Sequence, residues 1–128
     1  MAVKTILIVD NEQYIQEIVQ IALETVGDWQ VITASSGREG LQKAEIEQPD
    51  AILLDVMMPG MDGTATFQQL QANPLTQGIP VLFLTAKIQG SDHDRYNALG
   101  VAATIPKPFD PLQLPQQISQ ALGWNFAA

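Results

Sequence analysis

The chain has 128 residues, 46% of them hydrophobic, with six Lys plus Arg against fourteen Asp plus Glu and a formal charge of -8. That length fits one domain by the usual figure of roughly 100–200 residues, and the apolar content suffices for a real core. The negative charge disfavours direct contact with nucleic acid or an anionic membrane and favours a metal cation or a basic partner surface, while the lack of cysteine excludes disulfides, thiolate metal sites and cysteine nucleophiles.

Met1-Ala2-Val3-Lys4 leads directly into a first strand at Thr5–Val9, with no signal-peptide layout. No apolar stretch approaches the ~18 residues that would span a bilayer, so a soluble cytoplasmic protein is expected. Ile15, Ile18, Val19, Ala22, Leu23 and Val26 recur at helical spacing, and Gly27 is a stop. A weaker strand follows at Gln30–Ala34. Ser36-Gly37-Arg38-Glu39 has capping-box spacing and starts a helix through about Glu47, which Pro49 keeps from continuing.

The third strand is the apolar run Ala51-Ile52-Leu53-Leu54, closed by Asp55. Asp62 is placed to cap a helix from Gly63 to about Ala72, stopped by Asn73-Pro74. Ile79–Leu84 is the fourth strand. Ser91 with Asp94 forms another cap pattern, for a helix ending near Gly100. Val101–Ile105 is the fifth strand. Asp110-Pro111 reads as a cap followed by proline at the first helical position, and Leu114, Ile118, Ala121 and Leu122 mark the buried stripe of the last helix. Five strand–helix units with short connections predict an α/β fold, a doubly wound five-stranded parallel sheet with helices on both faces. No repeat or linker interrupts residues 1–128, so a single domain without an output domain is expected.

The strand ends carry the chemistry. Asp10-Asn11-Glu12 follows the first strand, Asp55 closes the third, Thr85 follows the fourth and Lys107 follows the fifth. In open α/β sheets the carboxyl edge is where ligands bind. If these ends converge, the set suits metal-assisted phosphoryl chemistry. Asp55 is then the nucleophile toward phosphorus. Mg²⁺, for which Mn²⁺ can substitute, would be held by oxygen from Asp10, Asp55, the Asn11 side chain and the Met57 carbonyl. Lys107 and the Thr85 hydroxyl would meet the phosphoryl oxygens. Asn11 has a second reading, as a cap of the first helix. The Lys107–Pro108 bond is predicted cis, aiming Lys107 into the pocket.

Other residues have plainer readings. His93 is a solvated surface histidine. Trp29 and Trp124 cover core edges, with Trp124 and Phe126 as an alternative contact surface. Gln113, Gln116, Gln117 and Gln120 form a solvated helix face without charge pairs, which points to a monomer or weak dimer.

Ile-Val-Asp10-Asn11-Glu12, Leu-Leu-Asp55-Val-Met-Met-Pro59-Gly60-Met-Asp62-Gly63, Leu-Thr85-Ala86 and Lys107-Pro108-Phe109, in that order and each after a strand, closely resemble the receiver domain of bacterial two-component response regulators. The match covers nearly the whole chain. It implies the flavodoxin-like (βα)5 fold with strand order 2-1-3-4-5. It also implies a phosphoryl group passed to Asp55 from a sensor histidine kinase or phosphotransfer protein, Mg²⁺ dependence, slow self-hydrolysis, and a switch on the fourth and fifth units. The single-domain form is similar to chemotaxis-type regulators, which act on a downstream protein target and not on nucleic acid.

Two positions depart from that family. Receivers usually carry two adjacent acids after the first strand; here the second is Asn11, which weakens Mg²⁺ binding by ~1–3 kcal/mol on the value of hydrogen bonds to charged groups, unless Glu12 compensates directly or through water. The family's aromatic switch residue lies three positions before the lysine, where this chain has Thr104. Pro106 lacks a ladder donor and is expected at an edge or past the last pairing. These departures motivate an alternative reading, a pseudo-receiver that binds a partner without phosphorylation. A phosphatase with an aspartyl-phosphate intermediate ranks lower, because Met57 stands where such enzymes place a second acid.

Overall fold

The three central strands are apolar runs that bury nearly every side chain, the signature of parallel strands covered on both faces. They are β1 (Thr5–Val9), β3 (Ala51–Asp55) and β4 (Val81–Thr85). β2 (Gln30–Ala34) and β5 (Ala103–Pro106) lie at the edges and stay partly exposed. All pairings are parallel, and the order is β2-β1-β3-β4-β5. The structure, a computed structural model, describes residues 3–86 and 90–124, and of residues 90–93 the backbone alone.

Alternation along the strands divides the core between two faces. Leu7, Val9, Ile52, Leu54, Val81 and Phe83 pack on one side with residues of α2 (Gly37–Glu47), α3 (Gly63–Ala72) and α4 (Gly90–Leu99). Ile6, Ile8, Leu53, Leu82 and Leu84 pack on the other with α1 (Gln13–Thr25) and α5 (Leu114–Leu122). Each such fully buried side chain contributes about 1.5–3 kcal/mol. Phe83 is 0% exposed and meets Phe67 and Tyr96 edge-on, with centroids 5.8 and 5.1 Å away. Phe83→Ala is expected to cost about 3–5 kcal/mol, the range for phenylalanine cavities, measured by urea unfolding.

Helix starts largely follow their capping residues. Ser36 accepts from the Glu39 amide at 3.1 Å, and Asp62 accepts from the Ala65 amide at 2.8 Å. The return half of the first capping box is displaced by one residue, because the Glu39 carboxylate accepts from the Ser35 amide at 2.5 Å.

Four sequence boundaries move. β4 starts at Val81 and not Ile79, since Pro80 has no amide to donate to the ladder. β5 spans Ala103–Pro106 because Gly100, at φ 102°, still turns the chain out of α4. Pro106 pairs in register with Thr85, and its missing donor is tolerated because β5 is an edge strand. α4 already begins at Gly90, so Ser91 is inside the helix instead of capping it, and its side chain lies outside the described residues. α5 begins at Leu114, three residues after Pro111. Asp110 spends its side chain on the Leu112 amide and its carbonyl on Gln113, closing a separate turn, and Pro115 takes the first-turn position.

Candidate functional site

Register brings the strand ends together. Val9 pairs with Leu54, Asp55 with Leu84, and Thr85 with Pro106. Asp10, Asp55, Thr85 and Lys107 therefore lie at one carboxyl rim. Asp10 is 0% exposed, Asp55 2% and Thr85 3%. The Lys107–Pro108 bond is cis, as the sequence predicts. The Lys107 ammonium lies 2.9 Å from Asp10 Oδ2, 3.3 Å from Asp55 Oδ1 and 3.7 Å from Glu12 Oε1. It is the cation between two buried carboxylates and one exposed acid.

Backbone amides complete the hold on these acids. Glu12 N–H donates to Asp10 Oδ1 at 2.8 Å, and Met57 N–H donates to Asp55 Oδ1 at 3.2 Å. Burial and then the Asp10 charge push the Asp55 carboxyl up from its ordinary range, against the opposing pull of Lys107 and the Met57 amide. Burial works against the Lys107 ammonium, but its hydrogen bond with Asp10 and the two carboxylate charges outweigh it and hold the lysine above its usual value.

Glycine sets the turn after Asp55. Gly63 N–H donates to Val56 O at 2.9 Å, and a Cβ there would run into the Asp55 carbonyl and sit 2.7 Å from Val56 Cα. Both obstacles are backbone atoms of the strand end, so a side chain at 63 must displace Asp55 itself. Gly63→Ala is expected to cost about 1–3 kcal/mol, the usual range for overpacking, measured by urea unfolding.

Asn11 is exposed and does not cap the first helix. α1 is entered at Glu12, whose side chain makes no cap bond; the Asp10 carboxylate has already turned the chain there through the Glu12 amide. Met57 is 73% exposed and Met58 is buried. Gln16 belongs to no sequence motif. Its amide donates to the Asp10 carbonyl at 2.6 Å and to Ser35 Oγ at 3.1 Å, tying the loop after β1 to the loop after β2. Its only sequence signal is a polar position on an otherwise amphipathic helix. Trp29 and Trp124 pack edge-on, 5.5 Å apart, against the second core, with Lys4 Nζ 4.5 Å from the Trp124 ring centroid. The His93 side chain and Phe126 lie outside the described residues.

Among the described residues, no three His, Cys, Asp or Glu side chains converge as a metal cluster. Two buried carboxylates do converge, those of Asp10 and Asp55. The donors on offer are all oxygen and carry net negative charge, which suits Mg²⁺, an ion that keeps several waters and needs few carboxylates. Among the described residues, no helix is long and apolar enough to cross a membrane.

Comparison with known proteins agrees with this arrangement. A model of the response regulator receiver domain matches residues 6–119. The alkaline phosphatase synthesis transcriptional regulatory protein PhoP of Bacillus subtilis is 42% identical over 93% of this chain and 48% of its own length. The phosphate regulon transcriptional regulatory protein PhoB of Pseudomonas aeruginosa is 37% identical over 95% of this chain and 53% of its own. The chain thus spans about half the length of these relatives. Among solved structures, the chemotaxis protein CheY4 of Vibrio cholerae superposes with a TM-score of 0.86 at 30% identity, covering 94% of this chain and 99% of that one. A CheY-like receiver domain protein of Methanospirillum hungatei gives 0.84 at 29% identity, covering 95% of each chain. With the doubly wound sheet in the order β2-β1-β3-β4-β5 and two buried aspartates sharing one lysine at its carboxyl rim, this chain belongs to the response regulator receiver domain family, the signalling modules of two-component systems.

Proposed function

We propose that Asp55 accepts a phosphoryl group from a sensor histidine kinase or phosphotransfer protein, and that the modified receiver signals by contacting a downstream protein. The observation that carries this reading is the shared ammonium: Lys107 lies within 3.3 Å of both buried aspartates. A carboxylate oxygen of Asp55 forms the new bond to phosphorus as the donor's P–N bond breaks and its imidazole departs. Asp10 and Asp55, with the Asn11 side chain, the Met57 carbonyl and Glu12 directly or through water, would hold Mg²⁺. The ion supplies positive charge against the two anions that must meet. Lys107 is placed to follow the phosphoryl oxygens, and the Thr85 hydroxyl to donate to them.

A cleft of about 360 Å³ lined by Glu12, Tyr14, Ile18, Lys107 and Phe109 gives a donor protein access beside the lysine. The formal net charge of -8 supports output through protein contact made by a cytoplasmic receiver, not direct DNA binding by this domain. The exposed glutamines of α5 offer no charge pairs and support a monomer or weak dimer.

Incubation with Mg²⁺ and acetyl phosphate, followed by intact mass measurement, tests the reading. One added phosphoryl mass is expected. No gain across a range of Mg²⁺ concentrations overturns it in favour of a pseudo-receiver, the reading that Asn11 and Thr104 favour.

A further inference from the structure

Asp10 stands just beyond the ladder that joins β1 to β2. Val9 and Ala34 are the last register pair, and the Asp10 N–H still donates to the Ala34 carbonyl at 3.0 Å. A parallel ladder carried one step further would bring the Ser36 amide to the Asp10 carbonyl, but Ser36 has left the strand to cap α2. Asp10 is 0% exposed, so its carbonyl needs a donor from within the protein. Gln16 supplies it. Its side-chain amide donates to the Asp10 carbonyl at 2.6 Å, to Ser35 Oγ at 3.1 Å and to the Ala34 carbonyl at 3.3 Å. Two N–H groups thus serve three acceptors, with Asp10 held most closely.

The carbonyl held in this way belongs to the peptide that joins Asp10 to Asn11. The Glu12 amide, two residues on, donates to Asp10 Oδ1 at 2.8 Å, and the Gln16 backbone amide donates to the Glu12 carbonyl at 3.2 Å. One residue therefore grips both ends of the short segment that presents Asp10, Asn11 and Glu12. Its far anchor is fixed as well, because the Ser35 amide donates to the Glu39 carboxylate of α2 at 2.5 Å. Backbone that is already ordered does not have to lose its freedom when a ligand arrives, so binding to it is tighter.

We propose that Gln16 is a positioning residue for the cation site: its side-chain amide takes the place of the missing ladder donor and holds residues 10–12 ready for Mg²⁺. Gln16 bonds backbone and Ser35, not a carboxylate of the site, so it acts through the loop on the affinity for the ion and leaves the chemical step alone. The inference rests on the Mg²⁺ site of the phosphoacceptor reading above.

The test uses the whole chain and reads three quantities: Mg²⁺ affinity by calorimetric titration with the metal alone, amide hydrogen exchange across residues 10–12 in chelator, and the rate of phosphoryl mass gain from acetyl phosphate as Mg²⁺ is varied. Gln16→Met keeps the length of the side chain and removes its donors. It is expected to weaken Mg²⁺ binding roughly tenfold, the lower end for groups that hold a metal ligand from behind. The Mg²⁺ concentration for half-maximal mass gain should rise by the same factor, with the rate at saturating Mg²⁺ unchanged, and exchange in chelator should quicken several-fold. Gln16→Asn draws the amide back by one methylene without adding charge and should weaken the ion in the same direction. Gln20→Met is the control, since Gln20 donates to Glu24 of its own helix at 3.2 Å, and it should bind Mg²⁺ as the wild type does. Wild-type Mg²⁺ affinity in Gln16→Met, whatever its stability in urea, overturns the proposal, as does a loss confined to the saturating rate. If Gln16→Met does not fold, wild-type affinity in Gln16→Asn overturns it. A wild type that binds Mg²⁺ but gains no mass overturns the phosphoacceptor reading, while the affinities still decide the role of Gln16; a wild type that binds no Mg²⁺ overturns both.

Discussion

Asp55→Asn is expected to abolish the phosphoryl mass gain completely while raising the melting temperature of the metal-free protein. The amide cannot attack phosphorus, so the chemical loss is all-or-none. The gain in stability comes from the ground state. Burial and the neighbouring Asp10 charge hold the Asp55 carboxyl above its ordinary value of 3.8, which means the folded protein binds that proton more tightly than the unfolded chain does. The ionised form is therefore a liability, fully present above the raised folded value and absent below 3.8. It follows that the stability difference between the variant and the wild type shrinks as pH falls through that window. Paired thermal melts in chelator check both statements. A variant that is less stable at neutral pH, or a difference that widens on acidification, contradicts this account. Mg²⁺ should reverse the ranking, since two carboxylates bind it better than one and ligand binding to the folded state stabilises it by mass action.

Lys107→Met is expected to produce the opposite ground-state effect. The lysine is the cation within bonding reach of both Asp10 and Asp55, which are 0% and 2% exposed. Deleting one partner of a buried ion pair leaves an uncompensated charge and costs about 3–5 kcal/mol. The cost should be flat across neutral pH. Lys107 is held above 10.5 in the fold, so its contribution is fully present below 10.5 and is lost as pH rises through the higher folded value. Added Mg²⁺ should restore more stability to this variant than to the wild type, because the cation replaces the missing ammonium. Phosphorylation from acetyl phosphate should slow by on the order of 10²-fold, the scale for removing one electrostatic stabiliser of a transition state. Urea unfolding with and without Mg²⁺, together with the rate of mass gain, checks the pair. An unchanged rate in a folded variant would remove Lys107 from the phosphoryl site.

The fold was legible because its signals are local. The apolar runs of β1, β3 and β4 are too short for helices and are bounded by turn residues, and the spacing of Ile15, Val19, Ala22 and Leu23 is helical. The boundaries that moved did so where a residue had a nonlocal or competing option. Asp110 could cap either Pro111 onward or a tight turn, and its bond to Leu112 chose the turn. Ser36 and Glu39 specified a capping box, but the glutamate reached the amide of Ser35 instead of Ser36. Asn11 had two readings, and the Asp10 carboxylate removed one of them by bonding the Glu12 amide first.

By itself, the order of residues determined the alternation of strand and helix, the parallel sheet, and the acids, hydroxyl and amine that close the strands. Those features depend on periodicity and on neighbours a few positions away. Only the tertiary structure decided that Lys107 is shared between Asp10 and Asp55, that Gln16 ties two loops at the rim, that Gly63 has no room for a side chain, and that the Thr104 hydroxyl is buried without a protein partner. The shared lysine and the Gln16 tie depend on groups far apart in the chain brought within a few ångströms by strand register, and the lack of room at Gly63 on the turn after β3 folding back onto the strand end.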